Sequence, residues 1–249
     1  MSKRFFSFLL FLSTLTLFFA SCKKESDNPE RYYSQATRGY YPLQLGRYVV
    51  YDVDSTVWND FDCSKKESHL QMRYMVADTF TDAQGRPSLR INVDQRVADT
   101  GLWTVSTVFY ATPTPTGLEV VMNNLRQTKL IFPAQNNATW LGNSAIDVNE
   151  PQNQFYIGWI YQYTGLVQPY NNGRVTFANT VSVKEQDYTL NDPDTLPSAY
   201  AERTYAREVY GYDVGMVYRE LTHWTYDPGT AANACRKGFS VVMRATDHN

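Results

Sequence analysis

The stretch Leu89–Val97, "LRINVDQRV", decides the architecture. Leu89, Ile91, Val93 and Val97 fall on one side of an extended chain, and Arg90, Asn92, Asp94 and Arg96 fall on the other. This is the two-residue period of a strand with one face in a core and one in water. The same period precedes it. In Leu70–Phe80, "LQMRYMVADTF", Leu70, Met72, Tyr74 and Val76 alternate with Gln71, Arg73 and Ala77. In Arg47–Trp58, "RYVVYDVDSTVW", Val49, Tyr51, Val53 and Val57 face away from Asp52, Asp54 and Thr56. Between Leu70–Phe80 and Leu89–Val97, "TDAQGRP" carries the Asp, Gly and Pro of a hairpin connection.

Further strands are expected near 102–111, 117–123, 126–132, 154–164, 174–185, 200–210, 215–226 and 238–246. Each is bounded by Gly, Pro, Asn or Asp, as in "ATPTPTG", "QPYNNG" and "NDPDTLP". The best helical candidate, "SAYAERTYAREVY" at 198–210, is also read as strand. Short connections between many strands imply an antiparallel meander, because parallel pairing needs crossover helices. One apolar face per strand requires that sheet to curl over its own core. The expected fold is therefore all-β: a curved meander sheet, half-barrel or barrel-like, forming a single domain over 39–249.

The N-terminus is different. Lys3 and Arg4 precede an almost wholly apolar run, Phe5–Phe19, which is a signal-peptide core and shorter than the roughly 20 residues a membrane span needs. The segment Phe19-Ala20-Ser21-Cys22 resembles the lipobox of bacterial lipoproteins, with Phe19 in place of the usual Leu. That resemblance implies removal of residues 1–21 and acyl chains, palmitate among them, on Cys22. Two or more chains hold a protein stably on a membrane, whereas one binds only marginally. Residues 22–38 then carry the lipid and a polar, aperiodic tether. The charged residues Lys23, Lys24, Glu25 and Asp27 resemble the signal that sends such lipoproteins to the cell surface. The expected location is the outer membrane, surface-exposed, with periplasm-facing attachment as the alternative.

Loss of Lys3 and Arg4 takes the basic count from 23 to 21 against 25 acids, a net charge of −4. This gives no electrostatic reason to bind nucleic acid or an anionic surface. With Cys22 lipidated, Cys63 and Cys235 remain as an even pair in an exported chain, able to form one disulfide or to stay as two thiols.

No motif announces chemistry. His69, His223 and His248 are scattered, and the chain has no His-Glu-x-x-His, Cys-x-x-Cys or Gly-x-Ser-x-Gly pattern and no phosphate-binding glycine loop. Asn191, Asp192 and Asp194 could offer oxygens to calcium but lack the loop pattern of a calcium site, and read as a polar turn. No metal, cofactor or catalytic residue is expected. The unusual feature is aromatic content, 19 Tyr and 5 Trp. In a strand over 154–164, Trp159, Tyr161 and Tyr163 share a face with Phe155 and Ile157. They read either as a stacking platform for a sugar or other ligand or as filling for a curved sheet's core, which strand propensity favours.

Four stretches, "YYPLQLGRYVVYDVDS", "VADTFTDAQGRPSLRI", "LIFPAQNNATWLGN" and "YGYDVGMVYRELTHW", resemble a family of uncharacterised outer-membrane lipoproteins of the Bacteroidota. The shared motifs are structural rather than catalytic. The closing stretch also resembles the end of the half-barrels used by lipid carriers, an analogy of fold only. The expected function is that of a non-catalytic binding or structural module with a protein or glycan partner. The alternative is a carrier holding a lipid or acyl chain inside the sheet.

Overall fold

The computed structural model describes residues 39–97, 99–229 and 234–249. The signal segment, the tether and Cys22 lie outside them. Among the described residues no helix is long and apolar enough to cross a membrane.

Twelve strands form one sheet: β1 (Tyr48–Trp58), β2 (Lys65–Thr81), β3 (Pro87–Arg96), β4 (Thr104–Thr114), β5 (Gly117–Met122), β6 (Leu125–Ile131), β7 (Thr139–Trp140), β8 (Tyr161–Asn171), β9 (Thr176–Leu190), β10 (Ala201–Gly211), β11 (Gly215–Asp227) and β12 (Cys235–His248). Their order is β6-β5-β4-β3-β2-β1-β12-β11-β10-β9-β8-β7. The chain thus runs outward from β1 to one edge, starts again at the other edge and returns to lay its last strand beside its first. The β1–β12 register extends from Val49 opposite His248 to Trp58 opposite Gly238. All pairings are antiparallel.

The sheet bends until its edges meet. Register shifts interrupt most of the ladders, for example between Val76 and Asp78 of β2 and between Ala206 and Arg207 of β10, and such bulges increase coiling. At the seam the Thr128 amide of β6 donates to the Gly142 carbonyl (2.8 Å), and the Trp140 indole donates to the Thr128 carbonyl (2.8 Å). The Tyr163 hydroxyl of β8 accepts from the Ile131 amide (3.1 Å) and donates to the Ile131 carbonyl (2.7 Å). These few bonds stand in for a strand ladder, so the barrel is nearly closed.

The expected apolar faces point inward except at their ends, where Val57 is exposed and Val97 lies beyond β3 and is exposed. Tyr51, Val53, Ile91, Val93, Phe109, Leu118, Leu130, Val183 and Val217 are all buried in one core cluster. The helix-like composition of 198–210 gives way to tertiary context: Ala206 and Tyr210 turn inward along β10, where burial against the core outweighs intrinsic propensity. β4 runs through Pro113, which the turn-like "ATPTPTG" did not suggest. Pairing with β3 stops at Ala111, so Pro113 lies where that side of the strand has no partner and its missing N–H breaks no ladder bond.

Of the strand expected at 154–164, only 161–164 is strand. Pro151 opens a 3₁₀ turn, Pro151–Tyr156, Gly158 takes φ +74°, and β8 starts only at Tyr161. The break in phase leaves Ile157 exposed at 58 % while Trp159 is buried.

Candidate functional site

Cys22 lies outside the described residues. Cys63 and Cys235 are bonded, with Cα atoms 5.5 Å apart, and join the β1–β2 loop to the first residue of β12. The stacking platform is corrected: Trp159, Tyr161 and Tyr163 are 4, 0 and 0 % exposed. Their polar atoms are spent inside the protein. The Trp159 indole donates to the Phe155 carbonyl (2.8 Å), and the Tyr161 hydroxyl donates to Asn143 Oδ1 (3.1 Å). Burial raises the hydroxyl pKa of both tyrosines. A ligand would have no face of these rings to stack on. They are core because the chain re-enters the barrel at Trp159, inside the seam.

His69 shares a hydrogen bond with Asp54 (2.9 Å), and His223 shares one with Thr204 (2.9 Å). Asp192 caps its own turn by accepting from the Asp194 amide (3.0 Å). No group of three or more candidate metal ligands occurs among the described residues.

The concentrated chemistry is elsewhere. Lys129 of β6, Glu185 of β9, Glu208 of β10 and Arg219 of β11 converge inside the barrel. Lys129 Nζ lies 2.6 Å from Glu185 Oε1 and 2.9 Å from Glu208 Oε1, and Arg219 Nε lies 3.6 Å from the same Glu208 oxygen. The Tyr210 hydroxyl donates to the other Glu208 oxygen. Lys129, Glu208 and Arg219 line a cavity of about 80 Å³ together with Tyr74, Tyr156 and Tyr210.

Burial, reinforced by the charge on Glu208, pushes the Glu185 carboxyl up. Burial acts on Glu208 in the same sense, but Lys129, Arg219 and the Tyr210 hydroxyl outweigh it and hold that carboxyl below the usual range. Lys129 is penalised by burial too, yet the two glutamates keep it a cation. A carboxylate pair sharing one ammonium in low dielectric is strongly position-dependent, so the cluster fixes β6, β9, β10 and β11 relative to one another.

None of these four residues was picked out by motif. The available signal was phase: Glu185 continues the inward series Val181 and Val183, Glu208 stands between Ala206 and Tyr210, and Arg219 follows Val217. A charge in step with an apolar series is buried and paired, or it interrupts the strand.

No protein-family model matches the chain, and no curated protein matches it. Two crystal structures are similar in fold. One is a Bacteroides fragilis protein assigned as exported, with a YMCC-like fold, and the other a Parabacteroides distasonis protein assigned as a lipoprotein. Each superimposes with a TM-score of 0.41 at 11 % identity, over 85 % of this chain and 99 % of its own. At this level of likeness neither structure carries over a ligand, a partner or an activity.

Proposed function

We propose that the chain is a non-catalytic binding module of the cell envelope, held on the outer membrane by lipid on Cys22 and facing the cell surface, where the outside of its barrel meets a protein or glycan partner. The observation that supports this reading is the filled interior. Two cavities inside the barrel measure about 80 Å³, beside the ionic cluster, and about 40 Å³, beneath Tyr41 and Met216. Sites for small molecules occupy roughly 300–1,000 Å³ and are mostly apolar. A carrier would need such a space for an acyl chain, and here Lys129, Glu185, Glu208 and Arg219 occupy its centre.

The lipobox and the polar segment after it support the anchor, and the charged residues after Cys22 support the surface address. Titration of the full-length chain with a fluorescent fatty acid tests the reading. No saturable binding is expected. Saturable one-to-one binding would replace the module with a carrier.

A further inference from the structure

The outer face of β1–β3 carries a second polar network, and part of it faces solvent. The β3–β4 connection crosses this face and lays Trp103 against it. Arg73 of β2 and Arg96 of β3 rise beneath, their guanidinium carbons 4.9 and 4.4 Å from the indole centroid. Both are held in place. Arg73 donates through Nε (3.1 Å) and Nη2 (2.7 Å) to Asp94. Arg96 Nε donates to Gln71 Oε1 (2.8 Å), whose amide donates in turn to Asp52 (2.9 Å). Gln71, Asp94 and Asp52 are buried although they stand on the barrel's outside, so the platform under the indole is rigid.

Beside it lies a recess of about 550 Å³, bounded by Tyr48, Arg73, Arg96, Trp103 and Asp247. The volume falls within the range of ligand sites, unlike either interior cavity. Both arginines rise from one face of the sheet, and Trp103, in contact with both, stays only half-buried. Arg96 has no carboxylate partner within ion-pair distance among the described residues; its Nη groups are free to donate. Asp247 accepts the Tyr48 hydroxyl through one oxygen (3.2 Å) and has its other oxygen to offer.

We infer that this recess binds a neutral saccharide. A pyranose has an apolar C–H face, which an indole matches, and a rim of hydroxyls that need both donors and acceptors. Trp103 supplies the face, Arg96 the donors and Asp247 the acceptor. A peptide adding to the sheet would need an open strand edge, and the recess lies over the face of β1–β3, strands that are paired on both sides. An acidic ligand would meet Asp99 and Asp247, which also line the recess.

The inference rests on the binding-module reading and names its ligand class. The test titrates the full-length chain, in detergent, with malto-, cello-, laminari- and chito-oligosaccharides and with trigalacturonate, following tryptophan fluorescence and heat. At least one neutral oligosaccharide is expected to bind saturably at millimolar concentration or below. Trp103→Ala should weaken that binding about tenfold or more, Trp103→Phe should restore part of it, and Arg96→Gln should weaken it several-fold, all in protein that still unfolds cooperatively. Binding that survives Trp103→Ala, binding of trigalacturonate alone, or no binding at all would overturn the inference. The last result leaves the module reading in place, since that stands or falls on the fatty-acid titration.

Discussion

Replacing Lys129 by methionine keeps a long unbranched side chain and removes the charge that two buried carboxylates share. The Lys129, Glu185 and Glu208 side chains are 6, 3 and 2 % exposed. After the change Glu208 retains Arg219 and the Tyr210 hydroxyl, whereas Glu185 retains no hydrogen-bond partner among the described residues. Removing one member of a buried pair costs about 3–5 kcal/mol, because the charge left behind is neither paired nor solvated.

Glu185 can relieve part of this by taking a proton. Burial, then Glu208, already push its carboxyl up to about 7, against about 4.3 for an unfolded glutamate. With the folded pKa above the unfolded one, the native state binds the extra proton. The group's contribution to stability is therefore complete below about pH 4 and is lost as pH rises through about 7. Without Lys129 the folded pKa climbs further, and each unit is worth about 1.4 kcal/mol.

Urea unfolding of Lys129→Met, with the disulfide intact, should therefore show a loss of about 3–5 kcal/mol at pH 8.5 and a loss at least about 1 kcal/mol smaller at pH 5.5. Glu208, held low, is ionised in both folded and unfolded states across that range. Adding Glu185→Gln to Lys129→Met should restore about 1–3 kcal/mol at pH 8.5. A loss below about 1 kcal/mol, equal at both pH values and unchanged by Glu185→Gln, would refute the description of the cluster as a dry, position-fixing network. If Lys129→Met does not fold, Glu185→Gln alone carries the test, since it should flatten the pH dependence between 5.5 and 8.5.

Replacing Cys63 and Cys235 together by alanine opens a link between residues 172 apart in sequence and should lower stability by roughly 2–5 kcal/mol, read from the urea midpoint under non-reducing conditions. Tyr163→Phe removes the hydroxyl that pairs both backbone groups of Ile131 across the seam; a loss of about 1–3 kcal/mol and faster hydrogen exchange at the Ile131 amide are expected. Gly238→Ala places a Cβ 2.2 Å from the His223 carbonyl oxygen at φ +134°. The backbone conformation alone should cost about 1–3 kcal/mol, visible as a lower thermal midpoint.

Strand existence was readable wherever one face alternated cleanly, because period two survives without knowledge of the partner strand. Leu89–Val97 and Val49–Val53 are such cases, and the meander followed from their short connections. Closure was not readable. It depends on Trp140, Tyr163 and Gln127 reaching across a seam between segments whose proximity only the curled sheet creates. The same is true of Lys129 and Glu208, 79 residues apart, and of Trp103 resting on arginines from two different strands. The aromatic run at 155–163 misled for a local reason: Pro151 and Gly158 break the strand, so Ile157 turns out to solvent while Trp159, Tyr161 and Tyr163 face the core. Composition drew attention to the most crowded aromatics, and crowding there means core.

A filled barrel leaves only its outer surface for binding. Native mass spectrometry of the full-length chain, expressed in a lipoprotein-processing host and released gently from detergent, tests that claim most directly. The predicted species is the chain beginning at Cys22, carrying its covalent acyl groups and no other lipid. A stoichiometric, non-covalent lipid that leaves only on unfolding would contradict it.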